Sequence, residues 1–271
     1  MKKIVLLIVL LATPVLSFAQ EESWQNYIAA YEKNIPGSTV VRMDLKEKAP
    51  LRNYQYVLVT GYSYETVRTD GLPDNDAFRF IHSFDDELFG FIESTFKVIH
   101  AGTFTHDTQR LHYFYIQSAE NVDPVITEFY ADIKPNVSKP YVNVTKDIDW
   151  EYYLNFLYPS DEILNYMGDM DVVQALKDSG DVLYKPRLVE HWIYFGNSDD
   201  RKRFRKSVEE MGFKIEDSST NQDSELKYQL RISREDKVDL DTINGITNEL
   251  RVLAIEHNGD YDGWETFVVK D

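Results

Sequence analysis

There is no cysteine in the 271 residues. That excludes disulfides, thiolate metal sites and a lipid anchor carried on a bacterial lipoprotein cysteine. Long apolar runs are also missing beyond the first twenty residues, so no later segment is apolar enough to span a bilayer as a helix. Positive charge is in short supply: 29 lysines and arginines stand against 46 aspartates and glutamates, a net charge of −17. A chain of that sign repels phosphate backbones, which makes nucleic acid a poor partner. No H-E-x-x-H, no G-x-S-x-G and no phosphate-cradling glycine loop occurs in the sequence. Accordingly no catalytic residue, metal or cofactor is assigned from motifs.

The amino terminus, MKKIVLLIVLLATPVLSFAQ, has the plan of a signal peptide. Lys2 and Lys3 form the positive region, Ile4 to Leu11 the apolar one, and Ser17-Phe18-Ala19 the small-residue cleavage site. The apolar run is short of the roughly 20 residues a membrane span needs. Cleavage near Ala19 would leave an exported, periplasmic or secreted chain without a stable membrane span. Loss of the two lysines takes the charge from −17 to −19. With 43% apolar and 14% aromatic residues, the remainder can fill a core.

Alternation and turn residues predict strands at 38–45 and 54–64. A helix is expected over 75–97, with Phe80, Phe84, Leu88, Phe91 and Ile92 at helical spacing. A hairpin around His106-Asp107-Thr108, a short helix over 122–133 stopped by Pro135, and a strand at 139–145 complete the first half. The aromatic segment 146–160 reads as a packed connector. Its tyrosines either join two domains or face glycans and peptides. Ser160 caps a new helix, and 172–179 is helical. From Arg187 the expected order is a strand to Phe195, a helix over 199–211 closed by Gly212, strands at 213–218 and 226–233, a helix over 239–257, and a strand from Trp264 to Val269. Both halves thus contain βαββαβ, the split-βαβ plan of ferredoxin-like folds. The fold class is α+β: two ferredoxin-like βαββαβ domains, the first with an extra N-terminal strand. The boundaries are a leader at 1–19, a first domain at 20–145, the connector at 146–160 and a second domain at 161–271. These two portions, 20–160 and 161–271, carry charges of −9 and −10, so neither is a basic module. Arg201, Lys202, Arg203, Arg205 and Lys206 lie among acidic residues and read as a solvated helix face.

One stretch resembles chemistry. Asn258, Asp260, Asp262 and Gly263 have the opening spacing of a calcium loop, but position 12 is Val269, which supplies no bidentate carboxylate. The residues fit better as a helix-ending Gly259 followed by a turn at Asp262-Gly263 into the last strand. His100, His106 and His112 fall on one hairpin, with their facing set by a register the sequence does not give.

The segments GDYDGWETFVV, Gly259 to Val269, and DSGDVLYKPRLVEHWIYF, Asp178 to Phe195, together with Arg201 to Phe213, resemble the ribonuclease E inhibitor B family. The first half, through Val41-Arg42-Met43-Asp44-Leu45, Ala49-Pro50 and Gly71-Leu72-Pro73, is similar to domain-of-unknown-function family 695. The first resemblance implies a small ferredoxin-like domain that acts by protein–protein contact without catalysis. It implies a cytoplasmic ribonuclease as partner, from which the leader would separate this chain. The expected partner is therefore a protein or peptide of the cell envelope. The expected contact residues are Glu190, Trp192, Tyr261, Asp262, Trp264 and Glu265. Trp192 and Trp264 are open to two readings, as core residues or as exposed interface anchors. The competing class is an envelope hydrolase or metal-dependent enzyme whose carboxylates and histidines converge in a cleft.

Overall fold

The computed structural model describes residues 22–132 and 138–270. The leader and the Pro135 helix stop lie outside the described residues. The architecture is mixed α+β with antiparallel sheets, as the sequence indicates, and the chain divides into compact units at Pro159/Ser160.

The first unit has strands β1 (Trp24–Ala30), β2 (Pro36–Arg42) and β3 (Tyr56–Ser63), then helix α1 (Asn75–Thr95). Next come β4 (Val98–His106), β5 (Gln109–Ile116), α2 (Val122–Asp132) and β6 (Ser138–Lys146). The six strands lie in the order β1-β2-β4-β5-β3-β6, all antiparallel. From β3 onward this is βαββαβ with strands ordered fourth, first, third, second. Two strands, not one, precede it. β1 escapes sequence reading because its residues alternate weakly, with only Tyr27 buried among WQNYIAA.

Helix α1 starts where Asp74 accepts hydrogen bonds from the backbone amides of Asp76 and Ala77, at 3.0 and 2.9 Å. It buries Ala77, Ile81, Phe84, Leu88 and Ile92 against Leu58, Phe114 and Ile116 of the sheet. Phe80 and Phe91, expected at the centre of that stripe, sit on its flank, half-buried. The connector covers the opposite face of the same sheet. The Trp150 ring stacks on Tyr115 at 3.8 Å, and Phe156, in a π-helical turn at Tyr152–Leu157, meets Phe104 and Tyr113. Asp147 fixes that turn by accepting from Tyr115 Oη at 2.7 Å and from the amides of Glu151 and Tyr152.

The second unit runs α3 (Asp161–Asp178), β7 (Arg187–Phe195), α4 (Ser198–Glu210), β8 (Lys214–Asp217), β9 (Tyr228–Asp236), α5 (Leu240–Glu256) and β10 (Gly259–Glu265). Its sheet order is β10-β7-β9-β8, again antiparallel. The α3 helix is one element of 18 residues, where the sequence indicates two pieces, because its apolar positions follow no single stripe. Caps account for the clean ends. Asn197 accepts from the amides of Asp199 and Asp200, Asp239 accepts from that of Thr242, and Gly212 takes the left-handed φ of 86° after α4. Four of the five basic residues of α4 pair with acidic neighbours, as in Arg205–Glu209 and Lys202–Asp199, and form the solvated face the sequence indicates, while Arg201 donates to the Ser219 and Gln229 carbonyls.

The last strand corrects the sequence reading. It begins at Gly259 and ends at Glu265, so Asp262-Gly263 is no turn. The residue in the left-handed region after α5 is Asn258, at φ 53°, rather than Gly259. Gly259 is instead required by packing, since a Cβ there would stand 2.4 Å from Cε1 of the buried Phe195 ring. Gly259→Ala is expected to destabilise the protein by about 1–3 kcal/mol, the usual penalty for overpacking a core. Asn258→Gly leaves that contact untouched and is expected to retain stability. The urea midpoints of the two variants, measured side by side, check this.

Candidate functional site

Strand β7 alternates strictly. Val189, His191, Ile193 and Phe195 point into the core, and Leu188, Glu190, Trp192 and Tyr194 point the other way. All three helices of the unit pack on the inward face, through Val173 and Leu176 of α3, Phe204 and Val208 of α4, and Ile243, Leu250 and Ala254 of α5. The outward face carries no helix of this unit. Register places Arg231 of β9 beside Trp192, Ser233 beside Glu190, and Glu265 of β10 on the other side of Glu190. Glu190 and Arg231 form only a loose pair, with Oε1 and Nε 3.9 Å apart, and that Nε has no hydrogen-bond partner. Glu216 accepts from Ser233 Oγ at 2.6 Å. Burial, then the nearby charge of Asp262, raises the Tyr194 pKa. The result is a sheet face open only in that no helix of its unit covers it, with the half-buried Trp192 and Tyr194 on its central strand and acidic side chains around them.

The six sequence-derived contact residues therefore divide. Glu190, Trp192 and Glu265 lie on the open face, and Asp262 is exposed beside it. Tyr261 and Trp264 point inward and are only 8% and 9% exposed. Residues three apart share a face because the register shifts between Tyr261 and Gly263, a β-bulge that inserts Asp262 and sets Gly263 at φ 148°. Trp264 Nε1 donates to Asp169 Oδ1 at 2.9 Å. The other oxygen of Asp169 accepts from Thr247 Oγ1 at 2.5 Å and Asn244 Nδ2 at 3.0 Å, with Arg251 Nη1 3.6 Å away. The Arg251 guanidinium lies over the Tyr261 ring at 4.8 Å, and Tyr261 Oη is 2.8 Å from His191 Nδ1. Burial first, then the charges of Arg234 and Arg251, push the His191 pKa down to about 3. Asp169 is the residue that sequence reading missed, since a lone aspartate on a helix without an apolar stripe carries no burial signal.

In the first unit, register brings two of the three hairpin histidines together. Thr103 pairs with His112 across β4 and β5, and a bulge near Ala101 puts His100 on the same face. His100 Nε2 lies 3.1 Å from the Gly102 carbonyl, which can only accept, so this nitrogen carries a proton. It is also 3.2 Å from Thr103 Oγ1, whose hydroxyl donates to His112 Nδ1 at 2.9 Å. His112 Nε2 lies 3.0 Å from Asp85 Oδ1. Tyr62 Oη and Arg110 Nε donate to the same carboxylate at 2.6 and 2.8 Å. Burial alone would raise the Asp85 pKa, but His112, Arg110 and Tyr62 together hold it well below the usual carboxylate range. Burial, then the neighbouring His112, pushes His100 down to about 3. His106 stands apart, on the Pro36 carbonyl at 3.2 Å. Threonine, histidine and aspartate thus line up as in an acyl-transfer triad. Thr103 and His112 are 2% and 0% exposed, however, so no reactant meets the hydroxyl. Among the described residues no group of three or more histidines and carboxylates has the spacing to hold a metal ion.

Comparison with family models matches residues 22–158 to the family of unknown function DUF695. Residues 168–266 match the regulator of ribonuclease activity B family, RraB. These are the halves to which the sequence motifs pointed. No curated protein matches the chain.

The buried neutral histidines imply acid sensitivity of a definite sign. An unfolded histidine protonates near pH 6.5, whereas His100 and His191 resist until about 3. Their contribution to stability is complete above pH 6.5 and is lost as the pH falls toward 3. Each contributes a slope of up to about 1.4 kcal/mol per pH unit in that window. Denaturant titrations between about pH 6.5 and 5, above the range in which the depressed carboxylates begin to lose their contribution, should show the decline. His191→Gln is expected to reduce the slope by about one proton.

Proposed function

The chain belongs to the family of unknown function DUF695, and from that premise we propose that it is a regulatory protein that acts by binding another protein, not by catalysis. The RraB match supports the mode of action, since that family is named for regulating another protein's activity. Both units are read as ferredoxin-like, on the strength of their βαββαβ order and their fourth-first-third-second strand arrangement. The leader sequence supports export, and with it a partner in the cell envelope rather than a cytoplasmic ribonuclease. Among the described residues no helix is long and apolar enough to cross a membrane.

The observation that carries the reading is the open face of the β10-β7-β9-β8 sheet. Trp192 and Tyr194 supply large rigid contact area, the type of residue that dominates interface energetics. Arg231, whose side chain is 37% exposed and only loosely paired with Glu190, adds a guanidinium to the face. The β10 edge of the same sheet is less suited to strand addition. β10 carries Asp260, Asp262 and Glu265 and is broken by its bulge, both devices that block edge pairing. Catalysis at the Thr103–His112–Asp85 line is disfavoured by its burial.

Affinity capture of the native protein from fractionated cells tests this reading, with Trp192→Ala and Glu190→Arg as the face variants. Trp264→Ala is a poor control, because it removes a core side chain and a donor to Asp169. The expected result is one envelope protein recovered in stoichiometric amount, with recovery reduced about 30-fold by Trp192→Ala, the scale of an interface hot spot. Equal recovery with both face variants would place binding elsewhere. A cytoplasmic location of the native protein would overturn the export reading and bring ribonuclease regulation forward.

A further inference from the structure

The side of α5 turned away from the sheet exposes two large apolar residues, Val252 at 58% and Ile255 at 73%. Beside them a groove of about 400 Å³ lies between α5 and Met211, at the C-terminal end of α4. Met211, Val252 and Leu253 make it apolar, and Glu249 and Glu256 stand at its margins. Positions 249, 252, 253 and 256 follow the i, i+3, i+4, i+7 spacing, so they form one stripe along the helix.

The charge on this stripe is uncompensated. The glutamates of α4 have cationic partners, Glu209 with Arg205 at 2.9 Å and Glu210 with Lys206 at 4.0 Å. Among the described residues Glu249 and Glu256 have neither an ion pair nor a hydrogen bond through their side chains. Glu256 is also the last residue of α5, where the helix dipole presents partial negative charge and favours a cation. An apolar groove flanked by unpaired carboxylates at the negative end of a helix is complementary to an apolar stripe flanked by lysine or arginine.

We propose that this groove is a protein-docking surface whose occupant is a basic amphipathic helix of a partner protein. Seven residues of α5 span about 10 Å, which separates the two carboxylates. A partner helix with cations seven residues apart meets both, and leucine-like side chains between them enter the groove, the helix-in-groove mode of recognition. A second copy of this chain would bring the same carboxylates to the contact and so repel. The surface lies on the helical side of the unit, away from the open sheet face, and the inference does not rest on that face being a binding site.

The test is a fluorescently labelled 18-residue helical peptide, with leucines at i, i+3, i+4 and i+7 spacing and lysines seven residues apart, titrated with the full-length protein at about 0.15 M salt, where distant charges are screened. Saturable binding is expected. The double variant Glu249→Lys, Glu256→Lys should weaken it at least tenfold, and Val252→Ser should weaken it several-fold. All three positions are exposed, so these variants are expected to keep the wild-type circular dichroism. Trp192→Ala should leave the affinity unchanged. Equal binding of the same peptide with glutamate in place of lysine would overturn the proposal, as would affinity indifferent to the charge reversal. Loss of binding with Trp192→Ala would assign the peptide to the sheet face instead. A dimer in sedimentation that Val252→Ser dissolves would give the groove to a second copy.

Discussion

A carboxylate without water around it must be surrounded by donors, and each unit of this protein is organised around that requirement. In the first, Asp85 of α1 is met by Tyr62 of β3 and by Arg110 and His112 of β5. In the second, Asp169 of α3 is met by Asn244, Thr247 and Arg251 of α5 and by Trp264 of β10. Such groups add little net stability over apolar replacements, because desolvation offsets much of the attraction. Breaking one is another matter, at about 3–5 kcal/mol for an uncompensated buried charge. Their effect is to select one arrangement: a helix displaced along the sheet would strand the carboxylate. Asp147 does the same for the connector, where Tyr115 Oη and two backbone amides hold the π-helical turn against β4 and β5.

That constraint explains why the two faces of the second sheet differ in kind. Inward, His191 and Arg251 each leave one nitrogen unpaired, and both atoms lie within the network around Asp169 and Tyr261. Outward, Glu190 and Arg231 approach without closing to a hydrogen bond, and Trp192 packs under no helix of its own unit. The inward face is finished by the chain itself. The outward face has aromatic area, a loosely paired guanidinium and surplus negative charge, features that a partner could complete.

Much of this was legible in the sequence where one signal dominated. RLVEHWIYF gives β7 at both ends because strict alternation matches a half-buried strand, and Gly212 marks the end of α4 by backbone chemistry that does not depend on distant contacts. Legibility failed where the deciding contact was remote. Gly259 looks like a helix-ending glycine, yet Phe195 is what forbids a side chain there. Trp264 could not be assigned to core or surface without the bulge at Asp262, which changes the alternation for every residue after it. His100 and His112 needed the β4–β5 register and the irregularity near Ala101. Asp85 and Asp169 were invisible for the same reason: a buried charge is defined by donors 23 to 95 residues away in the chain. For the open face, period-two alternation was enough to set Glu190 and Trp192 on the same side.

The same buried carboxylate bears on whether the two surfaces of the second unit can influence each other. Both connect to α5, the groove through its outer stripe and the sheet face through Asp169 and Trp264 to β10. A signal along that line would require α5 to shift against β10. Such a shift would strip Asp169 of donors, at a cost near the 3–5 kcal/mol of a broken buried pair. Coupling free energies between sites are typically about 1–3 kcal/mol, less than that penalty. Docking on α5 would therefore leave the geometry of Trp192 and Glu190 in place, and the two proposed surfaces would act as independent contacts on the second unit. A partner that engages both gains by effective concentration, through a linker that passes around the sheet edge, and not by reshaping the protein between them.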